Sequence, residues 1–377
     1  MNLKWLILLA ILTPGICSGQ SRNTIPLEKA NLSLAIPSMA ASHHGVLYAA
    51  YRSFNWLHSS SRLEVLAYDL RSHREIQHVT IPVPKVRGAR AAQGLFLSND
   101  GTMLAYSEAY NPTLLLLLST KNLSVIRRSN ALPFTPKDIW RRFAGFDSQN
   151  LLAFACVRSD SLRFIRIRPA DLTTVSDIRM SGPELLVPFS DFVAWSPRAK
   201  RVWIVSSPMR GDRWKEYTES GHTTGRAFGH LGPVSNGAIS TGEGELLAFY
   251  GNMIASGRVF SLTSHRKGEL NLECDVHPYG ISEDREYAGA LCTTSPDREP
   301  ENGGDEILSS EFLLLKVDGP SVVWRHKMSW RAVASGNGPY DGSQKGDPLI
   351  LRHGAKLWII APTKSRKLEV YEVTLPG

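Results

Sequence analysis

Four arginines, Arg87, Arg90, Arg141 and Arg142, fall with Asn236, His277 and Tyr279 in short segments that run into apolar strands. These are the residues of the chain best suited to hold a ligand. A guanidinium presents a rigid fork of donors that matches carboxylate or phosphate, so arginines gathered at one place select an anion. Arginines also bury their stems between packed strands and pair locally, which keeps a structural role open beside the ligand role. His277 and Asp191 could act as acid and base in a hydrolysis, provided that they converge within hydrogen-bond reach in one cleft.

Other chemistries lack their signatures. No G-x-S-x-G elbow strains a serine into reach, and no H-E-x-x-H pair is present for a zinc hydrolase. His43 and His44 are adjacent, and neighbours on a strand point to opposite faces, which makes a shared ion awkward. The polar loop at 295–306 concentrates Asp297, Glu299, Glu301, Asp305 and Glu306, oxygen ligands that would suit calcium, but without the D-x-[DN]-x-[DN]-G order of a calcium loop. No cofactor is predicted. Arg210-Gly211-Asp212 spells an adhesion tripeptide of a length that recurs by chance.

Positions spread from Arg87 to Tyr279 can share a ligand only if a repeating scaffold returns the chain to one place. Such a scaffold is written in the chain as an apolar strand, a Ser or Asp, a polar turn and a second apolar strand. It reads GLFLSNDGTMLAYS from Gly94, FAGFDSQNLLAFAC from Phe143, FVAWSPRAKRVWIV from Phe192 and YGISEDREYAGALC from Tyr279. Marked at Ser98, Asp147, Ser196, Ser240 and Ser282, the copies lie 42 to 49 residues apart, and looser copies at Ser42 and Arg352 bring the number to seven. Each copy continues into a third strand, as in RLEVLAYDL from Arg62 or KLEVYEV from Lys367, and a fourth, as in REIQHVTIP from Arg74. Four strands per copy at this period predict an all-β fold, a single β-propeller of seven four-stranded blades. The N-terminal segment ANLSLAIP, Ala30 to Pro37, precedes the first copy and is expected to supply a strand that closes the ring.

Before the ring comes an address. Lys4, the apolar stretch Trp5 to Leu12, the Pro14-Gly15 break and the small residues Cys17-Ser18-Gly19 read as a secretory signal over residues 1–19, cut after Gly19. The rival reading, lipidation at Cys17, is disfavoured by Ile16 before it. Removing 19 of 377 residues leaves 358 for one propeller domain, 20–377, and the loss of Lys4 lowers the net charge from +8 to +7. No later run is apolar for the length of a membrane span. Short basic patches at Arg71 to Arg74, Arg198 to Arg201 and Lys364 to Lys367 are the size of hairpin turns, which argues against nucleic acid. Of the three cysteines beyond the signal, Cys274 and Cys292 are close enough to bridge neighbouring strands, and Cys156 is left over as a small buried residue.

The SNDG turn at Ser98 to Gly101, its apolar strand and the L-x-x-x-S-T-K-N-L segment at Leu115 to Leu123 resemble the repeat of secreted bacterial WD40-like, lactonase-like propellers. The resemblance extends over most of the chain and speaks to fold. It lacks the Gly-His and Trp-Asp pairs of eukaryotic WD repeats and the Trp-rich signature of quinone propellers. The expectation is a secreted or periplasmic monomer that binds a protein, peptide or small anion at one face through Arg87, Arg90, Arg141, Arg142, Asn236 and Tyr279. The alternative is a hydrolase or lactonase-like enzyme at the same mouth, using His277 and Asp191.

Overall fold

The computed structural model describes residues 21–27, 37–42, 44–55, 60–84, 93–108, 114–130, 140–157, 161–181, 193–196, 199–206, 213–229, 235–240, 245–251, 257–262, 267–282, 284–294, 309–327, 349–362 and 366–375. These form twenty-eight strands and, among the described residues, no helix. The strands make seven antiparallel four-stranded sheets. The first blade is β2 (Ser38–Ala41), β3 (Val46–Asn55), β4 (Ser60–Asp69) and β5 (Arg74–Val83). The second is β6 (Gln93–Leu97), β7 (Met103–Glu108), β8 (Leu114–Ser119) and β9 (Val125–Ser129). The third is β10 (Trp140–Phe146), β11 (Leu152–Val157), β12 (Ser161–Ile167) and β13 (Thr174–Ser181). The fourth is β14 (Val193–Ser196), β15 (Arg201–Ser206), β16 (Arg213–Thr218) and β17 (Thr223–Gly229). The fifth is β18 (Ser235–Ser240), β19 (Leu246–Gly251), β20 (Gly257–Leu262) and β21 (Lys267–Leu272). The sixth is β22 (Asp275–Ile281), β23 (Tyr287–Thr294), β24 (Ser309–Lys316) and β25 (Ser321–Lys327).

The seventh blade draws on both ends of the chain. It holds β26 (Leu349–His353), β27 (Lys356–Pro362), β28 (Lys367–Thr374) and, as its outermost strand, β1 (Ser21–Pro26). The ring is thus closed by an N-terminal strand, but by Ser21–Pro26 and not by the expected Ala30 to Pro37, of which 30–36 lie outside the described residues. Ser21 pairs with Glu372 and Pro26 with Lys367, and the Leu27 amide donates to the Arg366 carbonyl at 2.8 Å. The physical reason for the choice is burial. Ile25 and Leu27 are buried between Tyr51 and Leu66 of blade 1 and Trp358 and Val370 of blade 7.

The first strands of the blades line the centre, β2 touching β6 and β26, β10 touching β6, β18 touching β14 and β22, and β22 touching β26, and the fourth strands form the rim. Middle strands are apolar on both faces because each blade packs against two neighbours. In β8 the leucines are all buried: Leu114, Leu116 and Leu118 pack towards blade 1, while Leu115 and Leu117 pack towards blade 3. The core is accordingly divided into seven clusters, one at each seam between blades.

All seven marks of the recurrent phrase fall at the hairpin between the first and second strands. Ser98, Asp147, Ser196 and Ser282 are buried there. The Ser98 hydroxyl oxygen accepts from the Met103 amide at 3.0 Å while the hydroxyl donates to Asp100 at 2.6 Å, and Asp100 in turn accepts from the Thr102 amide at 3.1 Å. Ser282, Asp284, Glu286 and Tyr287 repeat the pattern. Asp147 does both jobs with one carboxylate, accepting from Gln149 and Leu151 amides at 2.8 and 2.9 Å. Three residues after the mark the chain turns left-handed, at Gly45 (φ 81°), Gly101 (φ 70°), Asn150 (φ 59°) and Arg285 (φ 59°). Each of these amides donates to the carbonyl of the marked residue. A polar side chain that replaces lost backbone partners, followed by one left-handed residue, is a compact solution to a tight hairpin.

Cys274 and Cys292 form a disulfide with Cα atoms 5.5 Å apart, joining the link before β22 to β23, and Cys156 is buried on β11 outside it. Two outcomes are expected in urea denaturation. Ile25→Ala and Leu27→Ala each lower stability by about 2–4 kcal/mol, since the alternative segment cannot fill their place. Replacing both bridged cysteines by serine costs about 3 kcal/mol, as expected for a bridge that closes an 18-residue separation.

Candidate functional site

Antiparallel order gives the ring two unlike faces. The turns between strands one and two, and between three and four, lie on one side, here the turn face. The links between strands two and three, and from blade to blade, lie on the other, the link face, and every innermost strand starts there. Arg141 and Arg142 sit near the start of β10, paired with Cys156 and Ala155. Asn236 is near the start of β18, and His277, paired with Leu291, and Tyr279 are on β22. The backbone therefore brings Arg141, Arg142 and Asn236 to the link-face ends of the innermost strands of blades 3 and 5, and His277 to the first half of that of blade 6, whereas Tyr279 falls in the turn-face half of the same strand, two residues before Ile281. Arg87, Arg90 and Asp191 lie outside the described residues, in the links leading to β6 and β14, as do residues 295–306 and Arg210 to Asp212. Asp191 thus precedes blade 4, whereas His277 belongs to blade 6.

These three innermost strands share a second property. Pairing of first with second strand is interrupted at Phe143/Gly145 in blade 3, at Ser235/Gly237 in blade 5 and at Pro278/Ile281 in blade 6. In blades 1, 2, 4 and 7 the same pairing runs without a break. An extra residue on one strand re-aims the side chains around it and leaves backbone groups unpaired, which is why bulges gather at binding sites. Gly145 and Gly280 adopt φ of 121° and 103° at two of them. A Cβ added at Gly145 would come within 3.2 Å of the Phe96 ring, so this bulge requires glycine.

Sequence reasoning missed a buried polar cluster at the same face between blades 1 and 2. Arg52 on β3 and Glu108 on β7, exposed by only 2% and 1%, form a two-pronged ion pair, with Arg52 Nε 2.6 Å from Glu108 Oε1. Arg52 also donates to the Ser61 hydroxyl and to the Pro84 carbonyl at 2.9 Å, and the Tyr106 hydroxyl donates to Glu108 at 2.5 Å. Burial alone would lower the Arg52 pKa, but hydrogen bonds and charge from Glu108 carry it above its ordinary value. Burial, followed by the Glu108 charge, pushes the Tyr106 phenol well above its usual range. The cluster does more than join blades. Pro84 is where the link bearing Arg87 and Arg90 departs, so Arg52 fixes the root of that link. The only local signal was a lone charge inside each apolar strand, in AAYRSF and LAYSEA.

The turn face carries charge pairs that stitch other seams. Arg166 of blade 3 lies 3.7 Å from Asp147 and 4.0 Å from Glu219 of blade 4, and Glu219 accepts from the Trp195 indole at 2.8 Å. Burial raises the Glu219 pKa, with the indole hydrogen bond opposing it. Arg226 joins Glu216 of blade 4 to Glu245 of blade 5 at 3.3 and 2.7 Å and lies over the Trp203 ring. Arg352 of blade 7 bridges Asp284 and Glu286 of blade 6. These carboxylates are committed to holding blades together.

No protein-family model and no curated protein sequence matches this chain. Its fold is similar to solved β-propellers. The WD40 domain of Toxoplasma gondii coronin superposes with a TM-score of 0.57 at 9% identity, over 96% of this chain and 88% of that one. The β-propeller domain of the trilobed protease from Pyrococcus furiosus gives 0.47 at 11% identity over 91% and 96%. A member of the DUF4221 family from Bacteroides vulgatus gives 0.46 at 10% identity over 96% and 98%. At these identities the likeness speaks to fold alone, and a propeller scaffold implies no one activity.

Removing one partner of the buried pair should be far worse than removing both. Arg52→Ala is expected to cost about 3–5 kcal/mol because Glu108 stays buried and uncompensated. The double variant Arg52→Met with Glu108→Leu should recover most of that loss, as read by a double-mutant cycle in urea.

Proposed function

We propose that this protein is an exported binding module that captures an anionic group, carried by a small molecule, a peptide or a protein, at the link-face mouth of the ring. The observation that carries the reading is that Arg141, Arg142 and Asn236 stand where the innermost strands of blades 3 and 5 start at the link face, with His277 and Tyr279 further along that of blade 6, and that each of these three strands is bulged. Bulges free backbone amides and re-aim side chains along the channel wall, and guanidinium groups at the mouth would favour carboxylate or phosphate. A rigid ring positions such groups without having to order them on binding, which lowers the entropic cost of capture. Export is supported by the leader over residues 1–19 and by the Cys274–Cys292 bridge, since disulfides persist in oxidising compartments. Cleavage after Gly19 would leave β1 whole.

Inorganic phosphate and citrate are the probes. Each should raise the melting midpoint in a concentration-dependent way, because binding to the native state alone stabilises it. The shift should shrink in Arg141→Ala or Arg142→Ala, vanish when both are changed, and survive Arg352→Ala on the turn face. A shift that outlasts both mouth substitutions, or no shift with either anion, would remove the reading.

A further inference from the structure

Among the described residues the exposed large apolar side chains are Ile76, Val125, Ile126 and Val175, between 43% and 57% exposed. Single exposed apolar residues are ordinary. Their placement is not. Each falls within the first three residues of an outermost strand, β5, β9 or β13, directly after a turn of the turn face, and the three strands belong to consecutive blades.

The rims of these blades touch. Gln77 beside Ile76 donates to the Asn122 carbonyl at 2.6 Å, and Arg127 beside Ile126 donates to the Ala170 carbonyl at 3.0 Å. The four side chains therefore form one arc along the turn-face rim of blades 1 to 3. Its charge leans positive: residues 69–83, 120–129 and 168–181 hold seven Lys and Arg against Asp69, Glu75, Asp171 and Asp177. Asp171 is paired with Arg168 of the same set and Asp177 with Arg163 outside it. The outermost strands β17, β21 and β25 expose no large apolar side chain among the described residues.

We infer that this arc is a membrane-contact edge that rests on an anionic lipid surface. Apolar side chains set singly along an edge and flanked by cations suit a plane of phosphate headgroups over hydrocarbon, where each residue can dip separately and each guanidinium meets a phosphate. A protein partner of standard size would need a contiguous patch of about 800 Å² instead. The edge lies on the face opposite the link-face mouth, so lipid contact would leave that mouth turned to solvent, and the inference stands independently of any ligand there.

The test is flotation of the ring, residues 20–377 with all twenty-eight strands, with phosphatidylcholine vesicles made with and without phosphatidylglycerol. The protein should float with the phosphatidylglycerol vesicles and stay behind with phosphatidylcholine alone. Ile76→Ser combined with Ile126→Ser and Val175→Ser should lower partitioning roughly tenfold or more while the melting midpoint stays put. Arg74→Ser with Lys121→Ser should weaken the phosphatidylglycerol dependence without touching an apolar residue. Absence of flotation, or flotation that survives both sets of changes, overturns the inference.

Discussion

A sheet that is apolar on both faces cannot end. Every blade of this protein has that character, so each requires a neighbour on either side, and a row of blades is stable only when its last member meets its first. The pairing of β1 with β28 supplies this condition. It places Ile25 and Leu27 in the seam between blades 7 and 1 and leaves no apolar sheet face over at either end. The seven separate core clusters then follow as a consequence of closure, since no blade has an interior of its own.

Closure also explains which parts of the fold could be read from the chain. The turn phrase was legible because its chemistry is local: a Ser or Asp satisfies amides two to five residues away, and one left-handed residue completes the turn. Third strands such as β8 were legible because burial on both faces leaves an unbroken apolar run. The closing strand was not, because SRNTIP is polar over most of its length and holds its place through a partner more than 340 residues away. ANLSLAIP was expected in its place because it precedes the first copy and follows no blade, and position in the chain does not say which N-terminal segment reaches β28.

The candidate site divides in the same manner. That Arg141, Arg142 and Asn236 stand near the starts of inner strands, and His277 and Tyr279 within one, follows from register, which the phrase supplied. That their strands bulge does not, because a bulge is a mismatch of two strands and neither strand states it alone. The Arg52–Glu108 pair was hidden for a similar reason, its partners lying 56 residues apart on different blades. Charges at the turn face bind blade to blade, and at the link face, among the described residues, the deeply buried Arg52–Glu108 pair does the same between blades 1 and 2.

The strand order of the seventh blade bears on how the protein comes into being. During synthesis β1 leaves the ribosome ahead of the other described strands, and its sheet partner, β28, follows all of them. Until β28 emerges the first strand has no partner in its sheet, and six blades can accumulate with two raw ends exposed. Completion is therefore governed by the slow encounter of distant segments. A chain broken off before β28 would be left as an open and adhesive arc.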